Sequence, residues 1–352
     1  MNDLGVVAIG RNEGDRLRRC LGSLAGEGVA FVYVDSGSTD GSVAMARSMG
    51  VEVVELDLST PFSAARARNE GFGRLRAGSP GLRYVMFVDG DCEVVGGWIG
   101  RAKAELEASP GAAVVCGRRR EKFPDRSVYN RLADLEWDTP IGEATACGGD
   151  SVMRIEAFEA VGGFDPTCPA GEEPELCQRL RRAGWSIRRV DAEMTRHDMD
   201  MTRFRQFWTR HYRYGYNSLD ILTRFPEPDR PFERDIIRAR LWCGAIPAAG
   251  VAGGAVAAAA AGPIAGLAVI GGVAALYPAQ MARLAWKERA RADGPRTALA
   301  HGVLSTLAKW AQLAGQVAYL RDRRRGRSAR LIEYKLAGAG RPAGPAPPAI
   351  AR

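Results

Sequence analysis

Between positions 241 and 282 the chain carries 42 consecutive residues without one Asp, Glu, Lys or Arg, in a sequence where 26% of residues are charged. A membrane-spanning helix needs about 20 apolar residues, so the run has room for two, with the turn expected near Gly262 and Pro263. Arg238 and Arg240 precede the run, and Arg283, Lys287 and Arg289 follow it. Basic residues at both ends predict a hairpin that enters and leaves on the cytoplasmic side; a re-entrant hairpin satisfies the same pattern. The competing reading is an Ala/Gly-rich helical pair buried in a soluble core, since Ala and Gly insert only weakly into lipid.

Charge is distributed unevenly around this run. The 352 residues sum to a formal charge of +8, yet from Arg283 onward there are 15 basic and 4 acidic residues, and the preceding 282 hold 34 and 37. The near-neutral main body argues against nucleic acid as a partner and moves the question of a polyanionic partner to the C-terminus. There 297–320 reads as an amphipathic helix, and "RDRRRGRSAR" (321–330) as a basic patch for anionic lipid headgroups or, alternatively, a solubilising face. The closing "RPAGPAPPAIAR" reads as disordered. The seven cysteines are scattered, with no CxxC pair, which predicts a reducing compartment. Three histidines exclude a multi-histidine cage, and the charged N-terminus shows no signal-peptide pattern.

The first half alternates buried-strand runs (5–10, 30–35, 51–56 and 84–91) with helical spacing at 15–24 and 42–49. This pattern predicts an α/β architecture: a mostly parallel sheet flanked by helices, with ligands at the carboxyl ends of the strands. Polar clusters lie just past three of those ends: Arg11 to Glu13, Asp35 to Asp40, and Asp89 with Asp91. Further on, 173–185 and 202–219 read as helices; the aromatics of the second read as packing or an interfacial face.

In "VDGD" the carboxylates of Asp89 and Asp91 leave one strand end together and repel unless a cation lies between them. A hard divalent cation bridging to a diphosphate is the natural occupant; a solvated Asp-Gly-Asp turn is the bland alternative.

In order, "VVAIGRNEGDRLRRCLGSL", "VYVDSGSTDGS", "AARARNEGF", "VMFVDGDCEV", "ACGGDSVMRIEAFEAVGGFDP" and "GEEPELCQRLRRAGW" resemble family-2 glycosyltransferases of the GT-A fold, a likeness that covers roughly 6–197. The resemblance implies that the loop Ile9 to Glu13, including Arg11, holds the nucleoside with Asp35 and Ser36. It places Arg68 and Asn69 beside the nucleotide, Asp89 and Gly90 near the ribose, and Asp91 on a Mg²⁺ or Mn²⁺ ion with Asp89. His197 matches a third metal ligand found in part of the family. Glu173 matches the catalytic base, in the slot usually written Glu-Asp; it is Glu rather than Asp and is followed by Pro174, which leaves Glu172 as a rival, and both could equally be acidic residues favoured by a helix dipole. Asp150 is a further candidate contact to a sugar, or part of a turn.

The expected activity is inverting transfer of one sugar from a nucleotide-sugar to a lipid-linked or glycan acceptor at the inner membrane, the catalytic domain facing the cytoplasm, in surface polysaccharide or glycolipid assembly. A Gln-x-x-Arg-Trp segment, found in the family's processive synthases, is missing, since 206–216 reads "QFWTRHYRYGY". The alternatives are a sugar-1-phosphate nucleotidyltransferase and a non-catalytic membrane-associated sugar-nucleotide-binding protein. The expected division is a nucleotide-sugar half (1–115), an acceptor half (116–235), a transmembrane or re-entrant helical hairpin (236–286), and an amphipathic helix with a basic tail (287–352).

Overall fold

The computed structural model describes residues 3–225, 230 and 232–327. The Pro/Ala-rich end and positions 328–330 of the basic patch lie outside these residues.

The chain opens with β1 (Leu4–Gly10), α1 (Asp15–Leu24), β2 (Ala30–Asp35), α2 (Ser42–Ser48), β3 (Glu52–Glu55), α3 (Ala64–Gly78) and β4 (Tyr84–Asp89). β1 and β4 are buried along nearly their whole length, as continuous apolar runs covered on both faces must be. α1 turns Leu17, Cys20, Leu21 and Leu24 inward at helical spacing. α3 lies close against the sheet because position 71 is glycine: a Cβ there would come within 2.4 Å of Val7 and 2.7 Å of Val34.

Next come β5 (Cys92–Val94), α4 (Trp98–Ala108), β6 (Ala112–Glu121), a short 3₁₀ turn, α5 (Val128–Trp137), β7 (Gly142–Ala144), β8 (Ser151–Arg154), α6 (Ile155–Ala160), α7 (Glu172–Arg182) and β9 (Ser186–His197). The sheet order is β3-β2-β1-β4-β8-β6-β9-β5, with β7 on β9. The expected parallel arrangement runs from β3 to β4; β8 then enters antiparallel to both β4 and β6. β9 runs parallel to β6 through several register shifts, one of them between Arg118 and Arg119. Such bulges re-aim side chains, and here Arg119 comes to pair with Thr195.

The C-terminal third is helical: α8 (Phe204–Arg224), α9 (Glu233–Arg240), a π-helical turn, α10 (Ile246–Ala261), α11 (Pro263–Glu288) and α12 (Pro295–Arg324). The turn between α10 and α11 falls at Gly262. Two helices, Glu233–Ala261 and Pro263–Glu288, are long and apolar enough to cross a membrane, and they are almost unburied. Ile264 is 82% exposed and Leu267 68%, which weighs against a soluble-core pair. α12 crosses α8 with the backbones nearly touching: a Cβ on Gly215 would fall 2.0 Å from Gln312 O, and one on Gly315 2.1 Å from Tyr212 O. α11 approaches α12 as closely at Gly302. The aromatics of α8 serve mainly as packing, with Phe207 and Tyr216 buried.

Candidate active site

The ends of β1, β2 and β4 converge on one edge of the sheet. Ile9 O accepts the Gly90 N–H (2.7 Å) and Gly10 O accepts the Ser36 N–H (3.0 Å), so the three loops are cross-braced through their backbones. Arg11 donates to Gly37 O (3.4 Å), its guanidinium 4.6 Å from the Phe62 ring, and Glu13 pairs with Arg16 at 2.8 Å. The buried Asp35 carboxylate accepts from Tyr33 Oη, Ser38 Oγ and the N–H groups of Gly37 and Ser38. Both of its oxygens are therefore engaged in shaping the loop.

Arg68, on α3, is the hub. Its buried guanidinium reaches Glu172, lies 2.8 Å from Asp89 Oδ1 and 3.3 Å from Glu173, and donates to Gly149 O at 3.4 Å. Burial alone would lower its affinity for a proton, but the charges of Glu173, Asp89 and Glu172 outweigh this and raise it. Asn69 turns away to clamp Phe164, donating to its O (2.7 Å) and accepting from its N (3.0 Å).

Glu172 and Glu173 occupy the first turn of α7, just past Gly171 with its φ of 83°. The Glu172 side chain is 5% exposed and tied to Arg68, whereas Glu173 keeps 17% exposure. Burial, followed by the Glu172 charge, pushes the Glu173 carboxyl up to about 7 against the pull of Arg68. Of the two, Glu173 is the carboxylate with access and a proton affinity matched to a general base.

Asp91 and His197 meet across the β5–β9 pairing, where Cys92 is the partner of His197. His197 Nε2 lies 3.1 Å from Asp91 Oδ2, both side chains being 5% exposed. Burial, helped by the Arg119 cation, lowers the His197 pKa to about 4 and keeps the imidazole neutral. A buried carboxylate and a neutral imidazole form an N/O donor pair suited to Mn²⁺ or Mg²⁺. His197 Nδ1 is buried without a hydrogen-bond partner.

Asp150 is fully buried beneath this edge. It accepts from Asp89 N (3.1 Å) and Thr195 Oγ1 (2.5 Å) and pairs with Arg119 (2.9 Å), so it braces the site from below. Arg119 also lies 3.5 Å from Asp89 Oδ2 and packs over Trp137 (5.6 Å), while Trp137 meets the His197 ring edge-on at 5.1 Å. Neither residue was singled out from the sequence. Arg119 sits in an Arg-Arg-Arg run (118–120), and a β6–β9 register shift falls between Arg118 and Arg119.

Residues 6–161 match the family described as glycosyl transferase family 2. That span, under half of the chain, is similar to family-2 glycosyltransferases. The fold is GT-A, and Glu173 and His197 lie past the matched segment. The chain is 27% identical over 243 residues to a pre-mycofactocin glycosyltransferase of Mycobacterium tuberculosis, covering 65% of this chain and 49% of the relative. It is 29% identical over 172 residues to the succinoglycan biosynthesis protein ExoA of Rhizobium meliloti, covering 46% and 51%. The chain thus spans about half the length of these curated relatives. In three dimensions it resembles the mannosyltransferase PcManGT from Pyrobaculum calidifontis, solved in complex with GDP-Man and Mn2+, with a TM-score of 0.59 at 19% identity over 91% of this chain and 88% of that one. All seven cysteines are unpaired thiols.

Proposed function

We propose that this protein is a membrane-attached inverting glycosyltransferase that moves one sugar from a nucleoside-diphosphate sugar to a membrane-presented, lipid-linked acceptor. The observation that carries the reading is Glu173: a partly accessible carboxyl raised to about 7, held 3.3 Å from Arg68 on the sheet edge that also bears Asp89 and Asp91. The family-2 similarity and relatives named for glycosyl transfer and succinoglycan biosynthesis support the same class.

Glu173 takes the proton from the acceptor hydroxyl as it attacks the anomeric carbon from the face opposite the diphosphate, which inverts that centre. Arg68 holds Glu172 and Asp89 in place, so that Glu173 stays oriented while remaining a base. The backbone-braced loops at Ile9 to Glu13 and Asp35 to Ser36 receive the nucleoside. Asp91 and His197, with Asp89 beside them, would hold a divalent cation, which supplies neutralisation of the charge that develops on the leaving diphosphate. The exposed apolar hairpin, with arginines flanking both ends, supports an inner-membrane location, a cytoplasmic active site and contact of the basic C-terminal segment with anionic lipid. A hairpin anchor in turn favours an acceptor that itself resides in the membrane, as in surface polysaccharide or glycolipid assembly.

The test is a donor screen on the detergent-solubilised full chain with Mg²⁺ or Mn²⁺. Metal-dependent release of nucleoside diphosphate from one nucleotide-sugar, lost in Asp91→Ala, is the expected result. Release of pyrophosphate from a nucleoside triphosphate, or neither binding nor turnover across the panel, overturns the reading.

A further inference from the structure

One side chain links the foot of the hairpin directly to the C-terminal end of α5. α11 ends at Glu288 and the chain folds straight back, with the N–H groups of Arg291 and Ala292 donating to Glu288 O at 3.0 and 2.9 Å. This turn aims Arg291 at the C-terminal end of α5. There Arg291 Nη2 donates to Leu135 O (3.1 Å) and to Asp138 O. The final carbonyls of a helix have no partner within the helix. At this helix end the Thr139 N–H turns back to Trp137 O (3.0 Å) and leaves Leu135 O to an outside donor. Arg291 is that donor, and a cation at a helix C-terminus is also favoured by the helix dipole. Its ion pairs with Asp138 (3.6 Å) and Glu288 (2.9 Å) are half-exposed and weigh little. The two carbonyl bonds make the link.

Trp137, between the two capped carbonyls, is the side chain wedged against the metal-site residues: His197 edge-on at 5.1 Å and 89°, and the Arg119 guanidinium at 5.6 Å. His197 Nδ1 faces the buried Glu121 carboxylate at 4.0 Å, beyond hydrogen-bond reach, so the hydrogen bond that ordinarily orients a metal-ligating ring is not made there. The edge-on packing of Trp137 supplements the Asp91 contact in holding the ring plane. We propose that Arg291 is a positioning residue that caps α5 from the foot of the hairpin, holds Trp137 against His197, and thereby makes the cation affinity of the Asp91–His197 pair depend on how the hairpin is seated. The proposal rests on the metal-site reading above.

The test uses the full chain in detergent with Mn²⁺ alone as the probe, its binding followed by loss of the free-ion electron paramagnetic resonance signal. Arg291→Ala weakens Mn²⁺ binding by about tenfold, as loss of a supporting contact around a ligand does, and Arg291→Lys, which keeps a donor, recovers most of it. Trp137→Leu weakens binding to a similar degree, and the double variant is no weaker than either single one; where Trp137→Leu fails to fold, Trp137→Phe replaces it in the cycle. The thermal midpoint of Arg291→Lys stays that of the wild type. Wild-type binding with Arg291→Ala within twofold of it, or additive losses in the double variant, overturns the proposal alone. A wild type that leaves the Mn²⁺ signal free, indistinguishable from Asp91→Ala, overturns the metal-site reading and this proposal together.

Discussion

Glu173 holds its carboxyl 3.3 Å from the Arg68 guanidinium and still keeps 17% of its side chain exposed. Its neighbour Glu172 is the buried partner of the same guanidinium. The two should therefore fail differently. Glu173→Gln lowers kcat by roughly 10²–10⁴ through loss of the base, with donor affinity kept. Glu172→Gln breaks a buried ion pair at a cost of roughly 3 kcal/mol, read as a lower melting temperature. A kcat loss in Glu172→Gln with unchanged melting would instead move the base to Glu172.

The raised Glu173 carboxyl sets a pH profile. Only its ionised form accepts a proton, so kcat/KM rises about tenfold per pH unit below about 7 and levels off above it. Stability runs the other way. A carboxyl lifted from 4.5 to about 7 stabilises the fold while protonated, and that contribution is lost as pH climbs between these values. Glu173→Gln mimics the protonated form, so its melting advantage over wild type grows between about pH 4.5 and 7 and then holds. Paired melts at pH 5 and pH 8 check this.

Gly149 stands where Arg68, Arg119 and Asp89 converge: a Cβ there would lie 2.5 Å from Asp89 Oδ2 and 3.1 Å from each guanidinium. Gly149→Ala therefore displaces Asp89. A shift of this kind near the reacting groups costs on the order of 10²-fold in kcat/KM, to be measured beside circular dichroism showing the fold retained.

Strand ends rather than strands separate what was legible in the sequence from what was not. β2 and α1 are readable residue for residue, because continuous apolar runs and i, i+3, i+4 spacing leave little choice. Asp35, Asp89 and Asp91 stand at the edge that the alternation predicts. α3 and α5 went unread as helices: the buried residues of α3 are small ones, Leu75 and an arginine, Arg68, whose burial depends in part on Glu172 and Glu173, about 100 residues away. Asp150 could be suspected of a role but not assigned one, since its partners Arg119 and Thr195 come together only through the register shift between β6 and β9. Asp35 was readable as a loop carboxylate, yet that four donors saturate it follows from backbone geometry alone.

Chelation and ligand removal probe the Asp91–His197 pair. His197 stays neutral above about pH 4, so its capacity to bind a cation does not titrate in the physiological range. EDTA abolishes donor hydrolysis and Mn²⁺ restores it. His197→Ala requires more Mn²⁺ for half-maximal rate, by about 10–100-fold, and a metal titration of the rate reads this directly.

Ile270 and Leu276 face outward towards the middle of α11, at 43% and 45% exposure. Arginine near the middle of a spanning helix costs about 2.5–3.5 kcal/mol. Ile270→Arg combined with Leu276→Arg should shift the protein out of the carbonate-washed membrane fraction. A wild type already in the soluble fraction would remove the membrane assignment.

The crossing of α8 and α12 leaves no slack. Gly215 sits against Gln312 and Gly315 against Tyr212, backbone to backbone, and Gly302 ties α11 to the same helix. The catalytic half is thus not a buoy on a tether. On the proposed function, a hairpin seated in the bilayer would set the active-site edge at one fixed height and heading above the lipid, and the molecule would act as a ruler: an acceptor would be selected by how far its hydroxyl stands from the surface as well as by what that hydroxyl belongs to.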